Sequence, residues 1–311
     1  MAVRIMTDST ADLPPALIKE LEITVVPVYV NLHGRSYREG VDISLDDIYR
    51  EMVDNDATVT TSQPAPADFA EAYRQLMKDA DEILSINIST HLSSTCSSAI
   101  KAQELVDGQG RIEVIDSASV SMGTGLITIA AARLAQAGAS LPHILDETKR
   151  AISHTHIWGL LDTLKYVLRS GRIGKAKALL GSLLAIKPMI TVKDGEINPA
   201  GMARTRQKGL DKLVANLESF ADIDEVGIAH STTPDEAQTL RQRLSTVLDI
   251  RRIHLSRLGP AVGTHTGPGT LVLTLREKLP AVENAIVNTS KKLVELPSRH
   301  LPHMSIRPLA R

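Results

Sequence analysis

Most of the side chains in this sequence that could bind or transform a small molecule fall in four clusters. The first, TTSQPAPADF over Thr60–Phe69, sets the hydroxyls of Thr60, Thr61 and Ser62 ahead of Pro64, Pro66 and a helix; ordinary helix capping and turn chemistry explain most such runs. The second, SINISTHLSSTCSSA over Ser85–Ala99, runs a strand into a turn that opens a helix, and Ser89 to Ser98 carries more Ser and Thr than one cap requires. Hydroxyls beside the free N–H groups of a helix start can hold an anionic head group without a formal cation, because each donates a short charge-assisted hydrogen bond. The third, GTHTGPG, puts His265 between Thr264 and Thr266 in a loop whose glycines let the backbone approach a ligand. The fourth is cationic: Arg169, Arg172, Lys175 and Lys177 in LRSGRIGKAK, then Arg204 and Arg206 in GMARTRQKG. Lys175 and Lys177 read as a solvated face. Arg204 and Arg206 stand just before or within the first turn of a helix, where the dipole disfavours a cation unless an anion compensates, which points to phosphate or partner recognition.

These residue types favour binding over turnover. A nucleophilic Ser93 would need a base within hydrogen-bond reach and a third group orienting that base. The sequence offers His91 and, distantly, His265, but no GxSxG elbow and no carboxylate within seven residues of VGTHTGPG on either side. The only close histidine pairs, His154/His156 and His300/His303, lack a carboxylate set at zinc spacing, so no metal is expected.

The elements that must position these clusters follow from the patterning. Short β-branched runs alternate with segments of helical period, which implies an α/β fold with helices covering the sheets. Strands are expected at Val3–Met6, Thr24–Val30, Glu82–Ile88 and Arg111–Ile115, with helices at Pro14–Leu21, Leu45–Val53, Pro66–Lys78 and Ser93–Val106. Ser44 and Asp47 resemble a capping pair, and Pro66 suits a first helical turn. A small-residue helix after Asp116 should stop at Gly138, with a new helix from Ser140 to His154. A second α/β set follows: strand His156–Leu161, helices across Lys165–Leu168 and Lys175–Ala185, and a hairpin at Asp194-Gly195. Helix Thr205–Phe220, strand Glu225–His230, helix Pro234–Leu248 and strand Ile250–Ser256 lead into the Gly-rich segment that bears His265. The domains are placed at 1–155 and 156–279, with residues 280–311 as an extension.

Composition removes several classes of function. Lys+Arg 35 against Asp+Glu 36 gives a net charge of -1, without the basic field that a phosphate backbone requires, so nucleic acid is not an expected ligand. One cysteine, Cys96, can form no intrachain disulfide and suits a reducing, cytoplasmic compartment. Arg4 and Asp8 fall where a signal peptide places its apolar core, so no export segment is expected. The uncharged stretch Ser117–Ala132 falls short of the ~20 apolar residues a membrane span needs and reads as a buried helix. Two Phe, five Tyr and one Trp leave any apolar pocket to be lined by aliphatic residues and methionine.

Taken in order, TDSTADLP (Thr7–Pro14), VPVYVNLHG and YREGVDIS (within Val26–Ser44), TSQPAP (Thr61–Pro66), HLSSTCSSA (His91–Ala99), VIDSASVSMGTG (Val114–Gly125), LRSGRIG (Leu168–Gly174), KPMITVKDGEI (Lys187–Ile197) and HTGPGTL (His265–Leu271) resemble the DegV family from about residue 2 to 275. The resemblance implies a fatty-acid-binding protein of two α/β domains with the acyl chain in a buried tunnel between them and no cofactor. It further implies a carrier that presents the fatty-acid carboxylate to a separate kinase subunit, which makes the acyl phosphate for phospholipid synthesis. Carried over residue by residue, the carboxylate ligands fall on Thr61 and Ser93, with Ser62 and Ser94 beside them, and His265 and Thr266 join the head-group site. Arg204 and Arg172 become the phosphate or kinase contacts. Gly125–Ala132, Leu179–Ile186, Met122 and Met189 are candidates for the tunnel wall, with ordinary core the better reading for most of these side chains.

Two departures stand out. The family's stretch more often continues with Gly and an aromatic, as in SGTY, where this chain has Ser94, Thr95 and Cys96. About thirty residues follow Leu279, with Lys291, Lys292, Arg299, Arg307 and Arg311 against Glu283 and Glu295; they suit packing or, at most, a transient membrane or partner contact. The alternative to the carrier is a small-molecule enzyme, an esterase or a protein resembling dihydroxyacetone kinase, built on Ser93 and His265.

Overall fold

The first β-branched run forms β1 (Val3–Asp8), buried along nearly all its length as a strand covered on both faces must be. A computed structural model describes residues 3–106, 108, 110–179 and 186–279. After a 3-10 turn at Ser9–Ala11 come α1 (Pro15–Glu20), β2 (Thr24–Val26), β3 (Tyr29–Leu32), β4 (Arg35–Arg38), α2 (Leu45–Asp54), β5 (Thr60–Ser62) and α3 (Pro66–Leu76). Then follow β6 (Glu82–Asn87), α4 (Thr95–Glu104), β7 (Arg111–Asp116), α5 (Met122–Gln136) and α6 (Leu141–Ser153). The remainder is β8 (Thr155–Leu160), α7 (Lys165–Arg169), β9 (Lys187–Lys193), β10 (Glu196–Ala203), α8 (Arg206–Glu218), β11 (Ile223–His230), α9 (Pro234–Leu244), β12 (Ile253–Arg257), α10 (Pro260–Thr266) and β13 (Leu271–Glu277).

Local chemistry accounts for several starts and stops. Ser44 caps α2, its Oγ accepting from the Asp47 N–H at 3.1 Å, and the Asp68 carboxylate accepts from the Ala65 N–H at 2.8 Å where α3 opens on Pro66. Gly138, at a φ of +79°, ends α5 in the left-handed region. The expected single strand Thr24–Val30 is two strands in different sheets. Pro27 has no N–H to give a ladder, and the Val28 N–H turns to the Ser9 Oγ at 3.0 Å, so the chain leaves β2 and starts β3 elsewhere.

Three sheets result. The strands β2-β1-β6-β7 form an all-parallel sheet, β4-β3-β5 a small antiparallel one, and β10-β9-β8-β13-β11-β12 a mixed one in which only β11 and β12 pair in parallel. The α/β class therefore holds, while the second sheet is mostly antiparallel rather than built of βαβ units. The β9–β10 hairpin turns at Asp194 and Gly195, with φ of +52° and +77°, as an Asp-Gly turn requires. Between the two large sheets runs α5, whose Met122, Leu126, Ile127 and Ile129 are fully buried against β1 and β6 on one side and β8, β11 and β13 on the other. Both sheets belong to one compact unit that ends at Lys278.

Other expectations need correction. His265 does not lie in a loop: Pro260, Ala261 and Val262 carry a helical turn through it, and α10 ends only at Gly267. Thr60–Ser62 is a strand paired with β3, not a turn. Residues 250–252 form a 3-10 turn held by the Asp249 carboxylate on the Arg251 N–H, so β12 starts at Ile253. Gly174–Leu179 is likewise a 3-10 turn; the rest of the expected helix to Ala185, and the extension 280–311, lie outside the described residues. No helix among the described residues is long and apolar enough to cross a membrane.

Candidate functional site

The site grows from the carboxyl ends of the parallel strands, where an open α/β sheet leaves its crevice. Asp8 ends β1 and its Oδ2 accepts from the Ile88 N–H at 2.9 Å, which sets the course of the loop after β6. That loop is pinned twice more: the Ser89 Oγ donates to the Gly195 carbonyl at 2.8 Å, and the Thr90 N–H donates to Asp116 at 3.1 Å. Ser93 follows, half-buried, its Oγ 2.8 Å from the Thr95 Oγ1 and within 3.3 Å of the Thr95 N–H. Ser94, at the start of α4, is exposed. Cys96 points into the core, and burial pushes its thiol up to about 11, which removes it from thiolate chemistry near neutral pH.

Two further elements close on this loop. β5 pairs Thr61 with Val30, and the Thr61 Oγ1 stands 2.8 Å from the His265 Nε2. The ring comes from the last turn of α10, whose end is fixed at Gly267: at a φ of +88°, a Cβ there would lie 2.2 Å from the Tyr166 ring. That close approach packs α10 against α7. The His265 Nδ1 is buried without a partner.

Thr61, Ser62, Ser93, Ser94, His265, Thr266 and Arg172 all line one cavity of about 300 Å³. Its remaining walls include the apolar Val28, Ile88, Val120, Ile197 and Val262, and among the described residues none that line it is acidic. Val120, Ile197, Val262 and Thr266 also border a deeper void of about 40 Å³, otherwise walled by residues such as Ile157, Leu161, Ile190 and Val272 of the mixed sheet and its edge. On the outer side of the Thr61–His265 pair lies a third cavity of about 240 Å³, which Arg169, Arg172, Thr58, Thr60 and Ser170 help to line.

Arg204 is not among the lining residues of these cavities; it is exposed, one residue ahead of Thr205, which caps α8. Arg206 finds its compensating anion within the chain, bonding both oxygens of Glu236 at 2.7 to 3.0 Å. Of the wall candidates, Met122 and, within Gly125–Ala132, Leu126, Ile127, Ile129, Ala131 and Ala132 are core, and Met189 belongs to the cluster under α8 and α9. Residues 180–185 of the Leu179–Ile186 candidate lie outside the described residues. The apolar walls come instead from β8, β9, β10 and β13, whose inward side chains a sequence pattern does not separate from ordinary core. Among the described residues, no group of three His, Cys, Asp or Glu is placed to hold a metal ion.

Electrostatics favour a neutral ring. Burial, with the Arg172 guanidinium as a second cause, pushes His265 down to about 4 from an ordinary 6.5. The unfolded chain therefore takes up this proton before the folded one does. The contribution is fully present above pH 6.5 and is lost as the pH falls toward 4, at roughly 1.4 kcal/mol per pH unit and about 3 kcal/mol in total. Denaturant titrations of the lipid-free protein should thus show His265→Gln losing less stability than the parent between pH 7 and 4. Parallel losses would mean the ring is not held neutral by burial.

A family model described as an uncharacterised protein of the DegV family matches residues 2–278. Among solved structures, a fatty-acid-binding DegV family protein of Thermus thermophilus is similar at 36% identity with a TM-score of 0.83, over 89% of this chain and 100% of that one. DegV of Bacillus subtilis, a fatty acid binding protein, shares 28% identity with a TM-score of 0.80, over 89% and 100% of the two chains. A stearic acid-binding protein of Eubacterium ventriosum shares 26% identity with a TM-score of 0.78, over 89% and 98%.

Proposed function

The chain belongs to the DegV family, and on that premise we propose that it binds a long-chain fatty acid, with the carboxylate at Thr61 and Ser93 and the acyl chain directed into the apolar void behind α10. One observation carries this reading: each hydroxyl is backed by a second polar group, the Ser93 Oγ by the Thr95 hydroxyl and N–H and the Thr61 Oγ1 by the His265 Nε2. With Thr95 donating to Ser93 and the ring as its Nε2–H tautomer, both hydroxyls keep a proton to give forward to a carboxylate. A buried carboxylate needs such convergent donors, since burying it unpartnered costs far more than one hydrogen bond returns. Ser62, Ser94 and Thr266 border the same space and complete the head-group surroundings.

The tail supplies the affinity. Burying ~14 methylenes at ~0.8 kcal/mol each gives roughly 11 kcal/mol of gross driving force before ordering costs. Fatty-acid binding by the Thermus and Bacillus proteins, and stearic acid binding by the Eubacterium protein, support the ligand class. Ile157 faces the void of about 40 Å³, so Ile157→Phe is expected to move the chain-length preference toward fatty acids at least two carbons shorter. Titration with a series of saturated fatty acids tests both levels: no saturable binding by the parent would reject the ligand, and an unchanged profile in Ile157→Phe would reject the path of the tail.

In this reading the protein is a carrier and not itself an enzyme. It presents the carboxylate to a separate fatty-acid kinase, where a carboxylate oxygen forms a bond to the γ-phosphorus of ATP, the bond to the bridging oxygen breaks, and ADP leaves. The resulting acyl phosphate would supply phospholipid synthesis. Arg172 borders both the head-group cavity and the outer, arginine-bearing one, so it can meet the charge that develops on the transferred phosphoryl group. Arg204, exposed outside the cavities, suits contact with the kinase surface. An esterase would need Ser93 paired with a base, whereas here Ser93 bonds Thr95 and His265 bonds Thr61.

A further inference from the structure

The motifs TDSTAD and YREG place three carboxylates in the interior, none of them among the lining residues of the head-group cavity. Asp8, Asp12 and Glu39 are at most 6% exposed, with no cation bonded to any of them among the described residues. Asp8 already has a task in holding the loop that carries Ser93. The other two converge on the start of α10: the Asp12 Oδ1 accepts from the Gly259 N–H at 2.7 Å, and the Glu39 Oε1 accepts from the Ala261 N–H at 2.7 Å.

We propose that Asp12 and Glu39 act as a clamp on α10 and are positioning residues for His265, fixing the ring against Thr61 from the opposite end of the helix. Ala261 and His265 are four residues apart and so lie one turn apart on the same helix face. α10 is one rigid piece between these carboxylates and the Tyr166 contact at Gly267, and a shift at its start carries the ring with it. The clamp is itself braced. Glu39 accepts from the Ser9 hydroxyl, which also accepts from the Val28 N–H at 3.0 Å, and the Asp12 carbonyl accepts from the Ser256 hydroxyl. Gly259 sits between the two acids: a Cβ there would be 2.4 Å from the Glu39 Oε1 and 3.1 Å from the Asp12 Oδ1. Tyr49 grips the same segment through the Leu258 carbonyl at 3.0 Å. Burial pushes Glu39 up to about 7, and it pushes Asp12 well above the carboxylate range with the nearby Glu39 adding to the rise. Glutamine at position 39 can therefore keep the same acceptor without the charge.

The geometric claim concerns the lipid-free protein, while its consequence for lipid handling rests on the function proposed above. The test follows the His265 ring by NMR in protein with isotope-labelled histidine. In the parent the ring is expected to titrate near 4 and to keep its bond to Thr61. Glu39→Ala should release α10, so that the ring titrates close to the ordinary 6.5, while Glu39→Gln should restore the parent behaviour. Gly259→Ala pushes the clamp apart without removing an acid and should act like Glu39→Ala, which keeps the test available if that variant does not fold. Arg133→Ala breaks the ion pair with Glu225 and serves as a control for general destabilisation; it should leave the ring unchanged. A His265 ring that titrates alike in the parent, Glu39→Ala and Gly259→Ala, or a Glu39→Gln variant that fails to restore it, would overturn the clamp. A parent with the expected ring that takes up no fatty acid would instead overturn the proposed function and leave the clamp standing.

Discussion

Replacing Thr61 and Ser93 together by alanine is expected to weaken retention of a long-chain fatty acid by at least ~100-fold, because each charge-assisted hydrogen bond is worth ~1.5–3 kcal/mol and both are lost at once. The single variants should fall between parent and double variant. Each leaves one of the two proposed hydroxyl donors on the carboxylate, and the second loss leaves it only the flanking polar groups of the cavity, such as Ser62 and Thr266. Little of this loss should come from the fold. Thr61 lies on a three-residue strand, and Ser93 precedes α4 rather than standing in its interior. Circular dichroism should therefore be unchanged while titration reports the loss. Equal affinity in the double variant and the parent would reject the head-group assignment, whatever else binds in the cavity.

The second large effect separates holding the lipid from activating it. In an assay with a purified fatty-acid kinase, His265→Ala and Arg172→Ala are each expected to slow acyl-phosphate formation by ~10²–10³, the usual cost of removing one group aimed at developing charge. Fatty-acid affinity should fall no more than ~10-fold in either variant, since one supporting hydrogen bond is worth ~1 kcal/mol. The asymmetry follows from position. His265 touches Thr61 and not the tail path, and Arg172 stands at the rim shared by the head-group and outer cavities. Arg204→Ala is expected to raise the KM for the loaded carrier and leave kcat nearly intact, because it is exposed outside both cavities. Loss of lipid with normal coupling in the His265 or Arg172 variants would show that their roles are reversed.

Much of the polar lining of the candidate cavity is legible in the sequence because its residues are local. TTSQP, HLSS and THTG each deliver a hydroxyl or imidazole from a short motif, and all three converge on one cavity. What pattern could not supply is pairing across distance. Nothing in GTHTGPG says that His265 faces Thr61, 204 residues away, rather than Ser93. The helix through His265 was missed because four glycines and two prolines within Gly259–Gly269 outweigh helical propensity. Glycines here serve close packing, as Gly259 does between two carboxylates. The side chains that wall the cavity are hard to separate from core for a related reason. α5 is apolar all round because two sheets cover it, and a helix buried in that way looks the same in sequence as one lining a channel. Asp8, Asp12 and Glu39 carried a family resemblance but no visible role, since their partners are backbone N–H groups of distant segments.

The central claim is that this protein holds a long-chain fatty acid by its carboxylate. Extraction of the purified protein with organic solvent, followed by mass spectrometry of the released lipid against a denatured unrelated protein as background, tests it most directly. Fatty acid is expected at close to one molecule per chain, reduced to background in the Thr61→Ala, Ser93→Ala variant. A parent protein that stays empty after incubation with mixed long-chain fatty acids would contradict it.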